Sequence, residues 1–171
     1  MRRIALTGKP GVGKSTVVAK AAGKLAEKFG LKVGGIRTAE IRKEGKREGF
    51  SIEDLASGKT GNLSHVRGSG PRVGKYHVNL ADLAGIAAGA LIAALDCDLV
   101  VIDEIGPMEL KSEEFISAVE EVLESDRPVL AVLHRSSRHP LAQRVRAEFE
   151  LLTVDERNRD DLPGKIVEMF G

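Results

Sequence analysis

Residues Gly8-Lys9-Pro10-Gly11-Val12-Gly13-Lys14-Ser15, followed by Thr16, decide how the rest of the chain is read. They fit GxxxxGK[ST] at every fixed position, the spacing of a loop that wraps phosphate with its own backbone. Glycine at 8, 11 and 13 lets successive N–H groups turn inward on phosphate oxygens, in conformations that a Cβ would resist. A helix starting at Lys14 adds its positive end at the same point. Lys14 is spaced to reach the β- and γ-phosphates and Ser15 to ligate Mg2+, with Thr16 next in line for the α-phosphate. The flanks agree. Arg3 to Thr7 reads as a short buried strand. Val17, Val18, Ala21, Ala22 and Leu25 then form one face of a helix that runs to Phe29 and ends at Gly30.

A second stretch completes the candidate site. Leu99-Val100-Val101-Ile102 is fully apolar, as in the middle of a parallel sheet, and it ends in Asp103-Glu104. Asp103 at the strand tip suits the Mg2+ shell. Glu104 beside it is suited to orient and deprotonate an attacking water. The turn Ile105-Gly106-Pro107 is expected to leave the Gly106 N–H free to approach a γ-phosphate.

Outward from these motifs, strands and helices alternate. Leu31–Ile36 reads as strand, and Arg37–Ile52 as a hairpin turning at Lys43-Glu44-Gly45-Lys46. Tyr76–Asn79 ends a further strand, and Asp82–Leu95 is an Ala-rich helix. Its Gly85 and Gly89 are expected to let it lie close to the sheet. Ser112–Ser125 is an amphipathic helix capped by Ser112. Then come strand Pro128–Leu133, helix His139–Phe149, strand Leu151–Val154 and helix Asp160–Phe170. The alternation predicts a single α/β domain over residues 1–171, with a mostly parallel sheet covered on both faces and an inserted β-hairpin.

Composition narrows the function. With 26 Lys and Arg against 25 Asp and Glu, the net charge of +1 excludes a generally polyanion-coating protein. Basic function has to come from local clusters, and two stretches, 55–81 and 127–147, contain no acid. Aromatics are 4% with no Trp and one Tyr, Tyr76, so platforms for stacking bases are scarce and nucleic acid is not the expected partner. Cys97 is alone, which excludes a disulfide framework and a cysteine zinc site. The longest apolar stretch, Ala81–Leu95, contains Asp82 and is short of the ~20 residues that span a bilayer. The N-terminus offers only Ile4-Ala5-Leu6 before polar residues, so no signal peptide is expected there. A cytoplasmic monomer without a membrane partner is expected.

These runs resemble a known family, the small thermophilic nucleotide triphosphatases, P-loop NTPases whose vertebrate member is called cancer-related nucleoside-triphosphatase. The shared marks are the loop Gly8–Thr16, Gly45-Lys46-Arg47-Glu48-Gly49-Phe50, Val73-Gly74-Lys75-Tyr76-His77-Val78, Asp103-Glu104-Ile105-Gly106-Pro107-Met108-Glu109-Leu110, and Asn158-Arg159-Asp160. The family often has Thr where this chain has Ser15, which keeps the metal-binding hydroxyl. The resemblance implies a three-layer RecA-like fold and slow, base-tolerant hydrolysis of ATP, GTP and other NTPs to NDP and phosphate. It also implies that Asn158 and Arg159 edge a shallow base pocket. Slow turnover is expected from the residues too, since no Arg stands in the loop or beside Glu104. Arg135 and Arg138 are the first candidates for an arginine finger, Arg37 and Arg47 the second.

Three alternatives stay open on sequence. A small-molecule kinase shares the scaffold and the loop, and 55–81 could form its lid. A nucleotide-gated nucleic-acid-binding module would use the acid-free stretches. A guanine switch is suggested by Asp103-Glu104-Ile105-Gly106, which reads DxxG, and by Asn158-Arg159-Asp160-Asp161, which differs from NKxD at Arg159.

Overall fold

The structure is a computed structural model that describes residues 2–171. In chain order it contains β1 (Arg3–Thr7), α1 (Lys14–Phe29), β2 (Val33–Lys43), β3 (Lys46–Asp54), β4 (Thr60–His65), β5 (Arg72–Val73) and β6 (Tyr76–Val78). There follow α2 (Leu80–Asp82), a π-helical segment (Leu83–Ala88), α3 (Gly89–Ala93), β7 (Leu99–Ile105), α4 (Glu113–Glu124), β8 (Val129–Leu133), α5 (Pro140–Glu148), β9 (Glu150–Thr153) and α6 (Leu162–Phe170).

Apolar β-branched runs place β7 and β8 at the centre of one sheet, in the order β5-β6-β4-β3-β2-β7-β8-β1-β9. The five strands from β2 to β9 in that order pair in parallel. The other four extend the sheet as an antiparallel wing. One face is covered by α1 and α6, packing Val17, Val18, Leu25 and Ile166 against Ile4, Leu6, Val101 and Val132. The π-helical segment, α3, α4 and α5 cover the other, with Phe115, Val119 and Leu91 against Val100, Ile102 and Ala131. Arg3 ties the layers together: its guanidinium donates to the carbonyls of Leu123 at 2.8 Å, Val122 at 3.0 Å and Ser125 at 2.6 Å, at the end of α4.

The α1 and α4 boundaries match the sequence expectation, including the Ser112 cap, which accepts from the Phe115 N–H at 3.1 Å. Three features differ. The expected strand at 31–36 and the first arm of the hairpin are one strand, β2, parallel to β7 through Ile36 and antiparallel to β3 beyond it. The wing also contains β4, in the acid-free stretch 55–81, where no strand was expected before Tyr76–Asn79. Its only large apolar residue inside the strand is Leu63, and cross-strand pairing with β3 and β6 holds it extended. Gly85 and Gly89 face outward rather than toward the sheet, since a Cβ on either would meet nothing within 4 Å.

Candidate active site

The carboxyl ends of β1, β7 and β8 meet at one edge of the sheet, where ligands of open α/β sheets bind. The Gly8–Ser15 loop leaves β1 there with positive φ at Gly8 (147°), Gly11 (76°) and Gly13 (109°). Gly8 also passes so close to the end of β9 that a Cβ would stand 2.6 Å from the Val154 oxygen. Lys9, Pro10 and Gly11 are exposed and Val12 half-buried on the loop's outer curve. The Lys14 ammonium turns back into the loop and donates to the carbonyls of Gly8 at 2.8 Å and Lys9 at 3.5 Å. Ser15 and Thr16 open α1 and are exposed.

Beside the loop, the Ser15 hydroxyl donates to Asp103 Oδ1 at 3.1 Å. Asp103 is 1% exposed, and its Oδ2 is buried without a partner; so is Thr7 Oγ1, at the end of β1. Burial pushes the Asp103 carboxyl up to about 7, the Ser15 hydroxyl pulls it down, and Glu104 pushes it further up. Ser15 and Asp103 together offer two oxygens suited to a hard divalent cation, and the unpartnered Oδ2 leaves acceptor capacity at that point. The residues therefore fit Mg2+. Glu104 is half-buried; burial lifts its carboxyl above the ordinary range and Lys14 pulls it back. Ile105 is fully buried and anchors the strand end, its carbonyl accepting from the His134 N–H at 3.0 Å.

Several expectations change at this edge. Gly106 is buried, with Glu104 Oε1 2.6 Å from where a Cβ on it would stand, and three residues on Glu109 is 3% exposed, its carboxyl raised well above the ordinary range by burial and by Glu104. Glu109 had no role on sequence, and its only signal was a carboxylate inside the apolar Met108–Leu110 run. Asn158 is committed to a turn: its Nδ2 donates to the Thr153 carbonyl at 2.8 Å and its Oδ1 accepts from the Asp155 N–H at 2.9 Å. Arg159 does reach the loop, donating to the Val12 carbonyl at 3.3 Å.

Among the arginines, Arg37 is the one that shares a cleft with Ser15 and Asp103. With Ser15 and Asp103 it lines one cleft of about 240 Å³, walled by Val18, Ala19 and Val101, and it pairs with Glu53 at 2.6 Å. Arg47 is committed elsewhere, to the Tyr76 hydroxyl at 2.8 Å and Glu40 at 3.0 Å. Arg135 and Arg138 are exposed beyond β8. Among the described residues no helix is long and apolar enough to cross a membrane.

Comparison with known proteins agrees with this fold. The model of a family described as NTPase matches residues 3–167. Curated relatives called nucleoside-triphosphatase THEP1 include one from Methanosarcina acetivorans, 76% identical over 99% of this chain and 97% of its own length. Another, from Thermofilum pendens, is 46% identical over 94% of this chain and 91% of its own. The crystal structure of THEP1 from Aquifex aeolicus superposes with a TM-score of 0.84 at 29% identity, covering 98% of each chain. The solution structure of a human cancer-related nucleoside triphosphatase gives 0.82 at 36% identity, covering 99% of this chain and 97% of that one. The α/β fold is thus shared with both solved structures, and the chain belongs to the NTPase family of P-loop nucleoside-triphosphatases.

Proposed function

We propose that the protein is an Mg2+-dependent nucleoside-triphosphatase that converts ATP, GTP and other NTPs to NDP and phosphate, slowly and with little preference among bases. The observation that carries this reading is the Ser15–Asp103 pair with its buried, unpartnered Oδ2, set against the loop that holds Lys14. Ser15 and Asp103 would hold the metal, which when bound supplies charge neutralisation across the β- and γ-phosphates. The loop N–H groups and Lys14 bind and orient the triphosphate. Glu104, its carboxyl lifted above the ordinary range by burial, takes the proton of the attacking water. Weak base discrimination follows from Asn158, whose side chain is spent on its own turn. Slow turnover follows from Arg37 being held by Glu53.

The cleft beside Ser15 and Arg37 favours a second reading, a kinase whose acceptor lies there. One assay separates the two: phosphate release from ATP, GTP, CTP, UTP and a diphosphate, with and without Mg2+. Release from all four triphosphates, only with Mg2+ and without any acceptor, is the expected result. Release that requires an added acceptor would favour the kinase.

A further inference from the structure

β8 lies between the strand that opens the phosphate loop and the strand that carries Asp103 and Glu104. The residue just past its end, His134, has no part in the hydrolysis described above. β8 pairs with β1 up to Val132 opposite Leu6, and with β7 up to Leu133 opposite Ile105. The ladder to β7 goes one step further, since the His134 N–H donates to the Ile105 carbonyl at 3.0 Å. Side chains alternate along β8: Leu130 and Val132 pack on the α1 face, Ala131 and Leu133 on the other. His134, next in line, therefore turns to the α1 face, as far past Val132 as Gly8 is past Leu6. Gly8 opens the loop, and its carbonyl accepts from the Lys14 ammonium at 2.8 Å. The register thus sets the imidazole between the Lys14 end of the loop and the Glu104 strand.

The hydrogen bonds also fix which ring nitrogen carries the proton. His134 Nδ1 accepts from the Ser136 N–H at 3.3 Å, so its lone pair is used and the hydrogen sits on Nε2. That leaves Nε2–H as a donor for a ligand in the site. Burial holds the imidazole below the ordinary histidine value, and the charges of Lys14, Arg135 and Arg146 lower it further, so the ring is neutral at pH 7. The backbone is held without the far side of the ring: the His134 carbonyl accepts from Arg146 Nη2 at 2.9 Å, and the same guanidinium donates to the Ser137 carbonyl at 2.6 Å. The ring is half-buried, placed rigidly at the edge rather than built into the core.

We propose that His134 is a further catalytic residue of triphosphate hydrolysis: its Nε2–H donates to a γ-phosphate oxygen beside Lys14 and holds the transferring phosphoryl group as its bond to the diphosphate breaks. Lys14 supplies charge at that point, and a neutral imidazole adds a directed hydrogen bond. A diphosphate has no γ-oxygen for it, so the same residue distinguishes NTP from NDP. The inference rests on the reading of the loop as a triphosphate site.

The test compares substitutions in the full chain, reading kcat and KM for ATP with Mg2+ and the affinities for a non-hydrolysable triphosphate and for ADP. His134→Gln keeps an amide N–H near the place of Nε2 but loses the acceptor that closes the turn on Ser136. His134→Asn does the reverse: its Oδ1 takes the Ser136 N–H, as in an Asx-turn, while its amide stops short of Nε2. His134→Phe keeps a ring and has neither group. Asn and Phe should each lower kcat about 10–100-fold and weaken the triphosphate about 3–10-fold, with ADP affinity within about twofold. Gln should keep kcat within about fivefold of the parent. The proposal is overturned by kcat within about threefold of the parent in Phe, by ADP affinity falling together with triphosphate affinity, or by Asn restoring activity where Gln does not, the result of a merely structural turn. Failure of the underlying reading shows separately, as a parent protein that neither binds the triphosphate nor releases phosphate from ATP.

Discussion

Asp103 shows how the site trades stability for chemistry. Its carboxyl is 1% exposed and pushed up to about 7 by burial, against an ordinary value of 3.8. The folded protein therefore binds this proton more tightly than the unfolded chain does. Between about pH 4 and pH 7 the unfolded chain releases it first, so stability falls as pH rises through that window. Asp103→Asn removes the ionisation and should stabilise the free protein at pH 8 by roughly 2–4 kcal/mol, with a much smaller gain near pH 4. Urea unfolding midpoints at the two pH values measure this. A variant less stable than the parent at pH 8 would mean that the buried charge is already compensated. The same substitution removes a proposed metal ligand, so more stable and inactive is the expected combination.

At the scale of elements, β2 joins the parallel core to the wing through a close approach at Gly35. Gly35 has φ 114°, and a Cβ there would run into the Val101 carbonyl on β7. Gly35→Ala should cost roughly 2–4 kcal/mol in thermal or denaturant unfolding, since strain and clash act together. A loss under about 0.5 kcal/mol would show that β2 and β7 can separate at little cost. Elements were legible where sequence spacing and local physics agree. The β1–loop–α1 unit was, because GxxxxGK[ST] fixes backbone conformation and the helix start together; so was Asp103-Glu104, because two carboxylates closing an apolar run mark the tip of a central strand. β4 was not, because a wing strand with one large apolar residue owes its conformation to its neighbours. Asn158 in its turn and Arg37 beside Asp103 were not either. Their roles come from partners brought together by the fold, and no local pattern announces them.

For the whole molecule, the two halves of the sheet divide the labour. The parallel half carries the phosphate loop and the carboxylates; the antiparallel half braces the 106–110 turn through Ser64 and Met108. At their junction Arg37 shares a cleft with Ser15 and Asp103 while its charge is engaged by Glu53. An arginine on the transferring phosphoryl can add 10³–10⁵ to a rate. With Arg37 so engaged, turnover with saturating ATP should stay well below the ~10 s⁻¹ typical of enzymes. Since none of the three acts on the phosphoryl while Arg37 is engaged, Arg37→Ala, Arg135→Ala and Arg138→Ala should each change it less than threefold. A thousandfold loss in Arg135→Ala or Arg138→Ala would move the finger to the end of β8.

The central claim is that Glu104 activates water at a phosphate site built by Lys14, Ser15 and Asp103. Its most direct test is Glu104→Gln, a change of one charge at constant shape, with ATP affinity and single-turnover phosphate release measured on the same protein. Affinity within about threefold of the parent with release slowed roughly 10²–10⁴-fold is the predicted result. Release within threefold of the parent, at unchanged affinity, would contradict it.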